Sequence, residues 1–506
     1  VFMSTDFSTL QKLEGVLNKK TIALAFLGGE GDLQLFNIFL YTLDWKKKRG
    51  VKALGIYPRK RSLVFVDTSG AVGMGGRAVN DIVQMERYKS LESKILSAPF
   101  LDIAGLRLLA AHVFSYNEPA KTVAILAWTA ACFIKPHLRR NGIKFPHLFL
   151  IGEAGSGKSN TLERVILPVF SLPKVKAASQ VTAFALMKES NSSNIFPQAF
   201  DEFKPSKLDK LRLNCLYNHF RDSYDWHEGI RGRADQTTVS YDLLAPIVVA
   251  GEESADESAI RERSVELLFS KKDIKDATCK ESFVWLSGNT PLLGSFGRSL
   301  LNAALDTMPS EVELWFHEGK EFFAGELPIR VRDNLCCLYC GLCLIAKLCG
   351  SLGISWDEVF ELDREACTQY IEYGAKEYLL DGGINNKSIV EQSFEVMSRM
   401  KLKLGEDYAF ENNREFLCIW LAGIYDRYTR YRRDCAIIGE VLTYTQFKKQ
   451  LAHCDFCVQA NKSKRLGSEV RKVWVIDFKA LSRQCDVEAF LREESDEALP
   501  PAPTEP

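Results

Sequence analysis

The sequence has no surplus of charge: 65 lysines and arginines balance 65 aspartates and glutamates over 506 residues. Bulk basicity therefore cannot announce a nucleic-acid partner, and any such binding must come from local patches. There is no secretory signal pattern at the N-terminus. The most apolar stretch, Val123 to Ile134, is too short to span a bilayer and runs into Lys135, Arg139 and Arg140. It is expected to be a buried helix, and no membrane partner is expected. Internal repeats are absent, and low complexity is confined to the acidic, proline-rich tail from about Glu493, which is expected to be disordered. A convincing zinc pattern is also missing. Cys336, Cys337, Cys340 and Cys343 lie close together, but their flanks are helical and apolar and no second C-x-x-C follows at zinc spacing. Helix-core thiols are the expectation there. His453-Cys454-Asp455-Phe456-Cys457 is a second zinc candidate, again without evident partners. Fourteen cysteines read as reduced thiols point to the cytoplasm. The chain opens Val1-Phe2-Met3, which suggests a trimmed chain with a further domain upstream.

What is present is globular in composition, with 46% hydrophobic and 26% charged residues, and long enough for about three domains. One feature dominates. Leu148 to Ile151 is an apolar run that enters Gly152-Glu153-Ala154-Gly155-Ser156-Gly157-Lys158-Ser159. A helix-compatible stretch, Asn160 to Leu167, follows and is expected to halt at Pro168. This is G-x-x-x-x-G-K-S in its required strand–loop–helix context. The glycines let backbone N–H groups turn inward around phosphates. Lys158 can reach the β- and γ-phosphates and Ser159 can ligate Mg²⁺, at a helix N-terminus that favours anions. Residues 152–160 are thus the candidate ATP site, Asn160 closing it. An ordinary glycine turn would not explain the Lys-Ser pair at this spacing.

A mostly apolar segment, Ile195 to Phe200, ends in Asp201-Glu202, 43 residues after Lys158. Asp201 would hold Mg²⁺ through water and Glu202 would activate the attacking water. Pro197 within that segment is an oddity, since proline belongs near a strand start or edge. A third strand, Leu243 to Ala250, leads into Gly251-Glu252-Glu253. Arg263 follows, able to project into a neighbouring subunit's ATP site as a catalytic finger, with Arg261 as the fallback. The competing reading is a pair of salt-bridged surface arginines beside Glu262 and Glu266. Between the second and third strands, Asp225 to Tyr241 reads as a glycine-punctuated hairpin carrying His227, Arg231 and Arg233. These three could grip a nucleic-acid backbone, or simply decorate a surface hairpin.

The remaining chain divides by pattern. Residues 1–75 read as a small α+β module with strands at Ile22–Leu27, Lys52–Tyr57 and Leu63–Val66, and with basic runs at 46–49 and 59–61. Those runs are either a solvated face or a phosphate-contacting patch. Residues 76–144 read as helical, 145–275 as the ATPase core and 276–435 as a second helical region. Residues 436–490 follow the order of a winged helix: helix Leu442–Ala452, strand Phe456–Gln459, a basic loop at 461–468 and strand Arg471–Ile476. Lys462, Lys464 and Arg465 fall in that loop, Lys464 and Arg465 being the DNA-contact candidates. Residues 491–506 form the tail.

Together, Gly152 to Ser159, Asp201-Glu202, the hairpin near Arg231, the strand Ile247–Ala250 and Arg263 resemble the AAA+ ATPases. Within these they resemble the superfamily 3-like replicative helicases of phages and bacterial mobile elements. The resemblance covers about residues 145 to 270. It implies an α/β P-loop AAA+ core, a parallel sheet flanked by helices, between an N-terminal α+β and helical region and a C-terminal helical and winged-helix-like region. It implies a ring, expected to be a hexamer, with ATP and Mg²⁺ between subunits and with DNA and a primase as partners. The implied activity is an ATPase that unwinds or translocates on DNA in replication of a mobile element. The alternatives are a DNA-binding initiator, or a loader or remodelling ATPase, that never unwinds. One departure stands out: the family usually places Asn at the third-strand tip, where this chain has Gly251 or Glu252. No paired metal carboxylates with a nearby catalytic His mark a primase site in the first 140 residues.

Overall fold

A five-stranded, all-parallel sheet organises the first part of the chain. Its strands are β1 (His147–Gly152), β2 (Lys176–Ala177), β3 (Gln198–Phe203), β4 (Ile247–Gly251) and β5 (Ser264–Phe269), in the spatial order β5-β1-β4-β3-β2. Every residue of β1 and β4 is buried. That is why both read as continuous apolar runs rather than alternating ones: a parallel sheet is covered on both faces. The computed structural model describes residues 7–20, 25–43, 48–85, 93–172, 176–232, 238–255, 257–272, 276–325, 327–380, 389–435 and 441–491. Pro197 immediately precedes β3, so it removes no ladder hydrogen bond and the oddity disappears.

The chain forms two units, one of Val1–Ser254 with Ala259–Tyr378 and one of Ala255–Ser258 with Leu379–Pro506. In the first, the helix Pro119–Arg140 is buried without a break from Ala120 to Lys135. It opens on proline, whose fixed φ suits a first helical turn. Helices Ala277–Gly288, Thr290–Leu305, Pro309–Phe322 and Ile329–Ser351 complete the helical region expected after the core. Ile329–Ser351 is long and apolar enough to cross a membrane by length and composition, but 78% of its most apolar window is buried inside the fold. It is a core helix, and it buries Cys336, Cys337, Cys340, Cys343 and Cys349.

The N-terminal part of this unit departs from the sequence reading. Helices Leu10–Lys20 and Glu30–Thr42 supply the helical part of the expected α+β module, which the sequence reading did not place. Of the expected strand Ile22–Leu27, residues 21–24 lie outside the described residues and 25–27 form no strand. The other two appear as Gly55–Arg59 and Ser62–Val66, in an antiparallel meander with Ala71–Val72 and Ala78–Val79. Strands therefore run past residue 75, and Ile82–Gln84 pairs in parallel with Arg49–Val51. In the stretch 76–144, read from sequence as helical, α-helix begins at Ile103, where Asp102 caps it by accepting from Gly105 N–H. The meander is stitched to the core by backbone: Leu54 N–H donates to Ser192 O at 2.8 Å and Asn194 N–H to Leu54 O at 3.0 Å.

The second unit has a four-stranded antiparallel sheet in the order Tyr408–Glu411, Phe416–Ile419, Glu469–Asp477, Cys457–Leu466. Helices Ile389–Arg399, Leu421–Asp434 and Tyr444–Leu451 pack on it around Phe394, Tyr428, Phe447 and Phe456. The strands at 408–419 fall in a region read from sequence as helical. They are four residues each, too short to show a period. The basic stretch expected as a wing loop is mostly strand, and the turn narrows to Gly467-Ser468, with Gly467 at φ +58°.

Candidate nucleotide site and nucleic-acid surfaces

The P-loop leaves β1 at Gly152 and turns through Gly155 and Gly157, at φ +78° and +94°, a region side chains disfavour. The helix beyond starts at Lys158 and runs to Val169, with a π turn over Leu162–Ile166. Pro168 therefore lies inside the helix rather than ending it, next to a turn whose hydrogen bonding is already irregular. Lys158 is buried, and its Nζ donates to Glu153 O at 2.7 Å and Ser156 Oγ at 3.2 Å. Burial lowers its pKa, opposed by the charges of Glu252, Asp201 and Glu153. Glu153 accepts from Lys271 N–H at 2.9 Å, which ties the loop to the chain leaving β5. Ala154 and Asn160 are exposed at the loop's rim and Ser156 is buried beneath it.

Asp201 and Glu202 lie near the carboxyl end of β3, one strand beyond β4 in the sheet. Ser159 Oγ donates to Asp201 Oδ1 at 2.9 Å, bringing together two motifs 42 residues apart. The Glu202 N–H donates to the same oxygen at 2.8 Å. Glu202 is exposed with φ +57°, an uncommon conformation for a residue with a side chain. The Ser159 hydroxyl and Asp201 carboxylate are hard oxygen donors already in contact, a set that suits Mg²⁺. No cluster of three or more His, Cys, Asp and Glu capable of holding a metal occurs among the described residues. Burial pushes the Cys336 and Cys343 thiols up to about 12 and Cys454 up to about 11, the protonated, inert range.

The third-strand tip explains its own departure from the family pattern. A Cβ on Gly251 would stand 2.1 Å from Phe203 O, so no side chain fits where Asn was expected. The next residue, Glu252, is ion-paired with Lys204, and Glu253 accepts from Ser206 N–H at 2.9 Å and Ser206 Oγ at 2.5 Å. The tip of β4 is thus clamped to the loop that leaves Asp201-Glu202. Lys204 was missed from sequence. Its only signal was a lysine two residues past Glu202, which gains meaning once the strands are adjacent.

Arg263 has a different occupation from the finger expected of it. It immediately precedes β5, at the amino end of the sheet away from the P-loop, and is 9% exposed. Its guanidinium donates to Asp225 Oδ2 from Nε at 3.1 Å and Nη2 at 2.8 Å, and to Ala259 O at 2.6 Å. Arg261 is half-buried.

The expected hairpin is present, as Glu228–Gly232 paired antiparallel with Thr238–Asp242. Arg233 and the Arg231 side chain lie outside the described residues. His227 sits at the hairpin's root, 3.1 Å from Asp222 Oδ1. In the second unit, Lys464 is not a free wing cation: Glu411 holds it at 2.7 Å and Lys462 at 2.8 Å. Arg465 is exposed.

No protein-family model and no curated protein matches the sequence. Among solved structures, one described as "SCCmec type IV Cch - active helicase" is similar at TM-score 0.58 and 13% identity, covering 95% of this chain and 88% of that chain. The apo NrS-1 C-terminal region gives TM-score 0.27 at 11% identity, over 65% of this chain and 83% of that one, too low to bear on the fold. The chain therefore shares its fold, over nearly all its length, with a solved protein described as an active helicase.

Proposed function

We propose that this chain is an ATP-dependent DNA helicase or translocase working as a ring in replication of a mobile element. The observation that carries the reading is the 2.9 Å contact of Ser159 with Asp201 at the carboxyl edge of the sheet, beside Lys158 and Glu202. Crevices outside the carboxyl ends of parallel strands are where such sheets bind ligands. The fold shared with a described helicase supports the same reading.

In this mechanism the P-loop N–H groups and Lys158 hold the ATP phosphates, Lys158 leaving its contact with Glu153 O to do so. Bound at Ser159 and Asp201, Mg²⁺ supplies neutralisation of charge on the phosphates. Glu202 orients the attacking water and accepts its proton. The hairpin 228–242 contacts the strand being moved, and Arg465 of the second unit adds duplex contact. The work is cytoplasmic, with ATP sites completed by a neighbouring subunit.

The test is turnover and strand displacement on forked duplexes. DNA-stimulated hydrolysis with unwinding, both lost in Glu202→Gln, is the expected result. Wild-type protein that hydrolyses ATP and unwinds no forked or tailed duplex would sink the helicase reading in favour of an initiator or loader.

A further inference from the structure

Between the N-terminal meander and the carboxyl end of helix Pro119–Arg140 lies a cavity of about 530 Å³. Its floor is apolar, with Val51, Ile56 and Pro136. The cations lining it are Lys52, Lys135, Arg139 and Arg140, and Asp242 is its one acid. These cations are not equivalent. Lys135 is buried and donates to Leu244 O, which makes it part of the wall. Arg139 stands 3.9 Å from Asp242, its guanidinium over the Trp226 ring at 5.7 Å. Lys52 and Arg140 are exposed, and neither has a hydrogen-bonding or ionic partner among the described residues. Arg140 also feels Arg49, whose charge adds to burial in lowering its pKa. Two unpaired cations over an apolar floor suit a ligand with an anionic group at one end and a flat apolar face at the other. The position narrows the choice further. Asp242 is the last residue of the hairpin and Leu244 lies two beyond it, so the cavity opens at the hairpin's root.

We propose that this cavity seats one nucleotide unit of a single-stranded nucleic acid, its phosphate on Arg140 and Lys52 and its base against Val51, Ile56 and Pro136. The site would anchor a strand that passes along the hairpin 228–242. It stands apart from Lys158, Ser159 and Asp201, so it survives or fails independently of the ATPase reading.

The experiment uses the full chain and a fluorescein-labelled oligothymidylate, read by anisotropy across a salt series. Lys52→Gln with Arg140→Gln is expected to weaken binding at least tenfold. It should also reduce the salt slope by about 0.7, the worth of the one single-strand phosphate contact that the two cations share. DNA-free ATP turnover should stay unchanged. Unaltered affinity and slope would overturn the proposal. A second arm needs no variant: a 4-thiothymidine oligonucleotide is photocrosslinked to the wild-type chain. Adducts within 49–58 or 135–140 support the site, and adducts confined elsewhere reject it. A third arm adds thymidine monophosphate. Free nucleotide that binds as tightly as the oligonucleotide would make this a mononucleotide site and overturn the strand reading.

Discussion

Arg263 and Asp225 form a two-nitrogen ion pair within one chain, at 3.1 and 2.8 Å, and Lys144 closes on the same carboxylate. Burial pushes the Asp225 pKa up, and the bonds from Lys144 and Arg263 outweigh it, so the carboxyl stays low. An arginine so engaged is poorly placed to reach a neighbouring subunit. Removing Arg263 leaves the Asp225 carboxylate to Lys144 alone and takes away charge-assisted hydrogen bonds, so Arg263→Ala should cost about 2 kcal/mol. The check is a thermal scan beside a mixing assay. Arg263→Ala should melt earlier, and mixing it with Lys158→Ala should restore no turnover. Arg261→Ala should keep its melting temperature, and its mixture with Lys158→Ala should regain activity if Arg261 serves the trans site. Restored turnover with Arg263→Ala would return the finger to that residue.

Ser159 and Asp201 share one hydrogen bond, and Glu202 hangs beside them on a strained backbone. Glu202→Gln should retain nucleotide affinity and lose turnover by about a hundredfold or more, within the span ascribed to a general base. Asp201→Asn and Ser159→Ala should instead raise the Mg²⁺ concentration needed for half-maximal hydrolysis. Glu202→Gly is a useful companion, since glycine tolerates φ +57° without strain. It should match or exceed the wild type in melting temperature while losing turnover. A Glu202→Gln enzyme with near-normal turnover would remove Glu202 from the mechanism.

Lys204 and Glu252 pair across the strand tips, where Gly251 has no room for a side chain. An ionised Glu cannot donate to a phosphate, whereas an ammonium can. On the proposed ATP site, Lys204 would be a second cation, beside Lys158, to answer the phosphates, with Glu252 positioning it. Lys204→Met should lower kcat about tenfold to a hundredfold with little change in nucleotide affinity. Glu252→Gln should have a smaller effect. Equal loss in binding and turnover would assign Lys204 to ordinary phosphate attraction instead.

The residues that could be read from sequence are those whose chemistry is local. The P-loop pattern has its glycines, lysine and serine within eight positions, and Asp201-Glu202 follows a mostly apolar run, the later half of which is the strand β3. Alternation and turn glycines likewise marked the hairpin at 228–242. Pairings across distance were not legible. Nothing near Arg263 announces Asp225, 38 residues back, and nothing near Lys464 announces Glu411, 53 residues back. The first two helices were missed because strand-like and turn residues between them masked a weak helical period. The basic run at 461–468 read as a loop because charge was weighed above the alternation that places it in a strand.

Glu411 carries the clearest pH dependence in the second unit. Hydrogen bonds from Lys462 and Lys464 hold its carboxyl down to about 2, against slight burial that raises it. In the unfolded chain a glutamate titrates near 4.3. A depressed folded pKa stabilises above the unfolded value, and that stability is lost as the pH falls from about 4.3 toward about 2. Glu411→Gln should therefore melt below the wild type at pH 7, and the gap should close on acidification through that window. The pair is partly exposed, so high salt should narrow the gap as well. The same substitution frees two cations beside Arg465 and should tighten duplex DNA binding by roughly twofold to fivefold at low salt, as phosphate contacts would. A melting difference that persists unchanged down to pH 3 would show that Glu411 acts by packing rather than charge. Unchanged DNA affinity would remove Lys464 from the nucleic-acid surface.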